Sequence, residues 1–135
     1  MSLSARRKAR SLACQAVYQW HMTQDLPRNI YEQFIEANHS KVYDEDYFSC
    51  LFNGVIELHA ELDERLAPLM HDRSFNDLTV VEWSLLRIGA FELMKQPDVP
   101  AAVVMSEAIR LSKLFGATDG YRFVNAVLDR LAKQL

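Results

Sequence analysis

Four cations stand before the first acidic residue of the chain. Arg6, Arg7, Lys8 and Arg10 precede Asp25, so the opening 24 residues carry a formal charge of +4. The other 111 residues hold 11 basic and 18 acidic side chains, a net charge of −7. Cations close to a helix N-terminus oppose the helix dipole, so concentrating them there points to a use beyond local folding. Guanidinium and ammonium groups neutralise phosphates. Tyr18 follows, and a flat ring gives an unstacked base a surface to lie on. The chemistry these residue types describe is binding of single-stranded nucleic acid, with no bond made or broken.

An element must position them. Read at about 100° per residue, residues 4–22 form an amphipathic helix. Ala9, Leu12, Ala13, Ala16, Val17 and Trp20 make one apolar stripe. Arg7, Ser11, Cys14 and Tyr18 form a line on roughly the opposite side, flanked by Arg6 and Arg10. A core needs the first stripe, whereas it has no use for a ring set over a row of arginines. The plainer alternative is a solvated helix start with a half-buried tyrosine, since single exposed apolar residues are ordinary.

The composition bounds the rest. A chain of 135 residues suits one domain spanning 1–135, with 50% apolar residues to fill a core. Only four Gly and four Pro argue against a loop-rich or all-β fold. The sequence pI of about 5.8 confines any nucleic-acid site to a local patch. Cys14 and Cys50 form no CxxC pair and read as reduced thiols of a cytoplasmic protein. Gln15, Gln19 and His21 interrupt what would be a signal-peptide core, and no apolar run is long enough to span a membrane.

The pattern is helix after helix, without a convincing period-2 strand. After the first helix, residues 29–37 give a short second one, and 38–43 a polar loop. Asp44 then caps a helix to about His59, which 62–70 extends or follows with a break near Pro68. Residues 72–77 read as a loop. Thr79 and Glu82 form a capping box ahead of an apolar run, and the helix to about Met94 is apolar almost all round, as a helix in the middle of a bundle is. Gly89 inside it costs about 1 kcal/mol against Ala, which predicts a close crossing by another helix. Pro100 suits a first helical position, Gly116 a C′ position, and Thr118 the start of a final helix with Val124, Val127, Leu128, Leu131 and Leu135 inward. The expected fold is all-α, a bundle of about seven short helices around one buried central helix.

Enzymatic readings do poorly. His21, His39, His59 and His71 lack HxxxH or HExxH spacing. Gly116 and Gly120 lack the lysine and preceding strand of a phosphate-binding loop. Asp44-Glu45-Asp46 reads as a cap with an acidic first turn, not a metal cluster. No catalytic residue, metal ligand or cofactor is expected.

Three stretches carry a family resemblance: ARRKARSLACQAVYQW at the start, VEWSLLRIGAFEL in the middle and DVPAAVVMSEAIRLSKLFGATDGYRFVNAVLDRL at the end. The chain resembles the NusB family of bacterial transcription antitermination factors over nearly its whole length. That resemblance implies an all-helical protein that binds boxA RNA of ribosomal RNA leader transcripts. It also implies pairing with NusE, a small-subunit ribosomal protein, in an antitermination complex with other Nus factors and RNA polymerase. Some members of the family self-associate, so a homodimer is among the implied partners.

Carried over by position, the arginine-rich start falls on Arg6, Arg7, Lys8 and Arg10, and the RNA-facing tyrosine on Tyr18. The aspartate and phenylalanine of the final-helix motif fall on Asp119 and Phe123, and an acidic position at the boundary between RNA and NusE falls on Glu82. On the wheel, Phe123 lies on a flank shared with Asp119 and Arg130, about 100° from the apolar stripe. Capping explains Glu82 equally well. Gly120-Tyr121-Arg122 departs from the histidine-like residue that often follows the aspartate, and Ser106-Glu107-Ala108 stands where Asn-Glu-Ala is frequent. Two alternatives stay open: a helical module that meets only protein, and the RNA-recruiting domain of a ribosomal RNA cytosine methyltransferase, which the resemblance also suggests.

Overall fold

The computed structural model describes residues 2–71, 73, 75–116 and 120–135. Six α-helices follow one another: α1 (Leu3–Thr23), α2 (Pro27–Ala37), α3 (Glu45–Leu66), α4 (Val80–Lys95), α5 (Ala101–Leu114) and α6 (Tyr121–Lys133). Two short 3-10 turns, Ala67–Leu69 and Phe75–Asp77, lie between α3 and α4, and no strand occurs among the described residues. The expected count of seven thus resolves into six helices with two turns.

Local chemistry sets most of the ends. The Ser2 hydroxyl accepts from the Ala5 amide at 3.1 Å, and Asp44 accepts from the Tyr47 amide at 3.0 Å, each satisfying an orphan donor of a first turn. Pro27 opens α2, where its missing N–H costs nothing. The capping box of α4 is complete: the Glu82 amide donates to Thr79 Oγ1 at 3.1 Å, and the Thr79 amide to Glu82 Oε1 at 2.9 Å. Pro100 stands one place before α5, with extended backbone, and not inside it. Gly116 follows α5 with φ of 79°, the left-handed conformation that glycine adopts without strain. The expected start of α6 at Thr118 lies outside the described residues.

α3 runs beyond His59 because Leu62 and Leu66 continue its buried stripe, and Pro68 is absorbed by the 3-10 turn. Phe48 of α3 gathers Tyr31, Phe34, Tyr43 and Phe52 at ring separations of 5.7–6.3 Å, which fixes α2 and its following loop against α3.

Every residue of α4 from Glu82 to Glu92 is buried, and the helix packs on α1, α3, α5 and α6. A Cβ on Gly89 would stand 2.6 Å from Leu128 Cδ1, so α6 is the helix that crosses there. The single central helix expected from sequence needs a correction, because α1 is held between α2, α3 and α4 and is buried through its middle, from Ala9 to Val17 except Gln15. Two helices share the middle of the bundle. That burial decides which residues of α1 remain available for binding.

Candidate nucleic-acid interface

The wheel placed Arg10, Ser11 and Cys14 on or beside an outward face. All three are buried, because α1 meets neighbours on more than one side. Arg10 is only 1% exposed. Its Nε donates to Glu92 Oε1 and Oε2 at 3.1 and 3.0 Å, its Nη2 pairs with Glu92 Oε2 at 3.0 Å, and its Nη1 reaches Glu107 at 3.4 Å. The Tyr47 hydroxyl donates to the same Glu92 carboxylate. Burial and the adjacent carboxylate hold the Tyr47 phenol well above its ordinary range, so the proton stays on tyrosine. Arg10 is therefore a structural cation, closed to phosphate. Burial likewise pushes the Cys14 thiol up to about 12, leaving it an inert space-filler.

The other cations of α1 reach solvent on unequal terms. Arg6 lies 4.1 Å over the Tyr47 ring and 3.7 Å from Asp44. Arg7 is half exposed, and its Nε stands 3.2 Å from Glu107. Arg110 of α5 donates to Glu107 at 2.9 and 3.1 Å and to the Arg7 carbonyl at 3.3 Å. One buried glutamate thus holds three arginines from two helices. Lys8 alone of the four has no carboxylate partner among the described residues.

Tyr18 is exposed at 40%. It lines an apolar groove of about 580 Å3 with Met22, Phe34, Val81 and Phe115, bordered by Gln15 and Gln19. Residues from α1, α2, α4 and the end of α5 therefore converge beside the ring. A planar apolar ligand could lie there with its polar edge toward the two amides.

The remaining sequence-assigned positions form a different cluster. Glu82 is buried, its carboxylate taken by the Thr79 amide and by Arg73, whose Nη1 and Nη2 donate to it at 2.6 and 2.8 Å. Burial alone would raise this carboxyl, but the Arg73 and Thr79 hydrogen bonds outweigh it and hold the group below its ordinary value. The Arg73 guanidinium also covers the half-buried Phe123 ring at 4.6 Å. So Glu82 faces into the fold, in the capping role that the sequence equally allowed, and Phe123 carries an arginine on its face. Asp119 lies outside the described residues. Tyr121, the departure beside it, accepts from Arg122 Nε at 3.2 Å and has Lys113 at 5.6 Å from its ring.

A model of the NusB family matches residues 7–133 of this chain. Over 132 residues the chain is 46% identical to transcription antitermination protein NusB of Alcanivorax borkumensis, spanning 98% of this chain and 87% of that one. The chain belongs to the NusB family. The fold agrees: NusB of T. maritima superposes with a TM-score of 0.83 at 29% identity, covering 95% of this chain and 90% of that one. A crystal structure of NusB and NusE with double-stranded RNA superposes at 0.88 with 24% identity, covering 99% and 100%, a likeness of fold. As a member of the NusB family, the chain works in transcription antitermination as a non-catalytic factor. Among the described residues no helix is long and apolar enough to cross a membrane, and no group of three or more His, Cys, Asp or Glu is placed to hold a metal ion.

Sequence reasoning missed the carboxylates that decide which cations are free. Glu92 carried a signal: it is an acid set among apolar residues past the first turn of a helix apolar almost all round, and a buried carboxylate requires a cation. Glu107 and Arg110 carried none that spacing alone reveals.

Proposed function

We propose that this NusB-family chain binds single-stranded boxA RNA of ribosomal RNA leader transcripts beside the ribosomal protein NusE. The assembly it joins contains other Nus factors and RNA polymerase in the cytoplasm. The observation that carries the RNA reading is Tyr18, a ring 40% exposed at the edge of an apolar groove on the helix that bears Arg6, Arg7 and Lys8. Cations position a polynucleotide backbone, and the ring stacks an unpaired base. The solved fold neighbour that holds NusB and NusE with double-stranded RNA supports NusE and RNA as partner classes, while the single-stranded form rests on Tyr18.

The RNA-facing set is narrower than the sequence suggested. Arg6, Arg7, Lys8 and Tyr18 remain in it; Phe123 takes part only where Arg73 moves off its face, and Asp119 stays assigned by family position. A protein partner beside the RNA is expected because so small a patch gives little specific affinity alone. The test is RNA binding with and without the ribosomal partner across a salt series. Affinity should fall steeply with salt, and Tyr18→Ala should lose about 1–3 kcal/mol if one base stacks there. Unchanged affinity in a folded Tyr18→Ala protein removes the ring from the site, and no RNA binding at any salt, with or without the partner, would point to a module that meets only protein.

A further inference from the structure

Beside the Tyr18 groove runs a second one, of about 400 Å3, between α1 and α2 and the loop that follows α2. Its lining includes Lys8, Gln15, Gln19, Gln33, Phe34 and Lys41. Among the described residues neither lysine is ion-paired, in contrast to Arg6, Arg7 and Arg10, each of which already has a carboxylate. A phosphate arriving at Arg7 shares that guanidinium with Glu107, which already neutralises its charge, whereas one arriving at Lys8 or Lys41 displaces only water and counterions. Lys41 is also held in place. The loop that carries it is fixed by the buried Asn38, whose side chain donates to the Phe34 carbonyl at 2.7 Å and whose own carbonyl accepts from the Lys41 amide at 3.0 Å. Gln19 donates to Gln33 at 2.9 Å, so a polar bridge spans the groove from α1 to α2. Gln15, Gln19 and Phe34 line this groove and the apolar one alike, which makes the two continuous.

We propose that the Lys8–Lys41 groove between α1 and α2 is the track for the phosphate backbone of a single RNA strand, and that it delivers the bases to the apolar groove beside Tyr18. The two lysines meet successive phosphates, while the glutamine amides at the shared wall hydrogen-bond base edges, as amides do on unpaired bases. This path rests on the RNA reading above and makes it specific, because it shifts the backbone contacts from the arginine face of α1 to its α2 side.

The experiment measures anisotropy of a fluorescent boxA RNA oligonucleotide with the full chain, with and without the ribosomal partner, over a potassium chloride series. Variants are Lys41→Ala, Lys8→Ala with Lys41→Ala, and Arg28→Ala as a control, an exposed cation of α2 that lines neither groove. All are surface changes, and thermal melting confirms that each variant is folded. Lys41→Ala should weaken binding several-fold and flatten the plot of log affinity against log salt by about 0.7, the double variant by about 1.4, for one and two single-strand phosphates. Arg28→Ala should change neither. Wild-type binding with unaltered affinity in the double variant overturns the track and leaves the RNA function standing. Equal losses in Lys41→Ala and Arg28→Ala also overturn it, because only general charge would then be at work. No RNA binding by the wild-type chain, even with its partner, overturns the function and the track together.

Discussion

Lys8 and Arg10 stand two residues apart on one helix and end in opposite electrostatic states. Arg10 is sealed in the bundle with Glu92, Glu107 and Tyr47 around it. Lys8 opens onto a groove without a carboxylate partner among the described residues. Two steps of about 100° put them on nearly opposite sides of α1, and what each side meets decides its fate. The acids that claim Arg10 come from α4 and α5, distant in sequence, and none from those helices claims Lys8. A cluster of cations in a sequence therefore counts charges, not the charges that a ligand can reach.

The largest expected effect attacks the buried member of the pair. Arg10→Met should destabilise the fold by about 3–5 kcal/mol, because it leaves the buried Glu92 carboxylate without a guanidinium, while Glu107 keeps Arg7 and Arg110. Urea unfolding of the variant checks this. The comparison sharpens with Arg10→Met combined with Glu92→Met, which removes both charges and should recover much of the loss. A double variant no more stable than the single one would mean that packing, not charge compensation, explains Arg10.

Arg73 is the intermediate case, a partly exposed guanidinium on a buried acid. Arg73→Ala should cost about 1.5–3 kcal/mol through loss of the paired hydrogen bonds to Glu82. It should also change the acid limb of stability. Glu82 in the fold lies below its ordinary value of 4.5, so its contribution is fully present above that pH and is lost as pH falls through the lowered folded value. In Arg73→Ala that acid-dependent loss should shrink, read as a flatter decline in unfolding free energy toward low pH. An unchanged acid limb would assign the lowered value to the capping box alone.

What was legible in the sequence follows the same division between local and distant causes. The capping box of Thr79 and Glu82, the turn at Gly116 and the close crossing at Gly89 were readable because each is set by a few neighbouring residues or by one missing Cβ. The exposure of Tyr18 was readable from the wheel. Ser11 and Cys14 were misplaced because a wheel assumes one buried face, whereas α1 packs on three helices. Arg10 was misread because its partners lie 82 and 97 residues along the chain. Lys41 went unnoticed because only the fold of α2 onto α1 brings its loop to the same groove as Lys8.

The arginine and the lysine should also differ in solution. If Arg7 must leave Glu107 to meet a phosphate, the attraction it gains is partly offset by the one it gives up. Lys8→Ala should therefore flatten the salt dependence of RNA binding by about 0.7, and Arg7→Ala by less, with both acting alike on every RNA sequence. Equal slopes for the two variants would show that Glu107 releases Arg7 without cost. A loss confined to one base position would contradict the phosphate role of either.

The smallest effect concerns Arg87, buried like Arg10 but with a histidine among its partners. Arg87 of α4 forms a paired bond with Asp63 at 3.0 and 2.8 Å and lies 4.7 Å from the Trp83 ring and 5.8 Å from that of Trp20. Its Nη1 also meets His21 Nδ1 at 3.0 Å. A guanidinium can only donate, so that nitrogen must keep its lone pair and the imidazole must be neutral. Burial first and the Arg87 charge second lower the His21 pKa below 6.5, with Asp63 pulling the other way. The unfolded chain therefore binds this proton more readily than the fold does. The stabilising contribution is complete above pH 6.5 and is lost as pH falls through the lowered folded value. His21→Gln keeps an acceptor for Arg87 but removes the titration, so the stability gap between wild type and variant should narrow or reverse on acidification. A gap that stays constant from neutral to acidic pH would mean that His21 bears on Arg87 only by packing, and that both buried arginines, Arg10 and Arg87, depend for charge on their carboxylates alone.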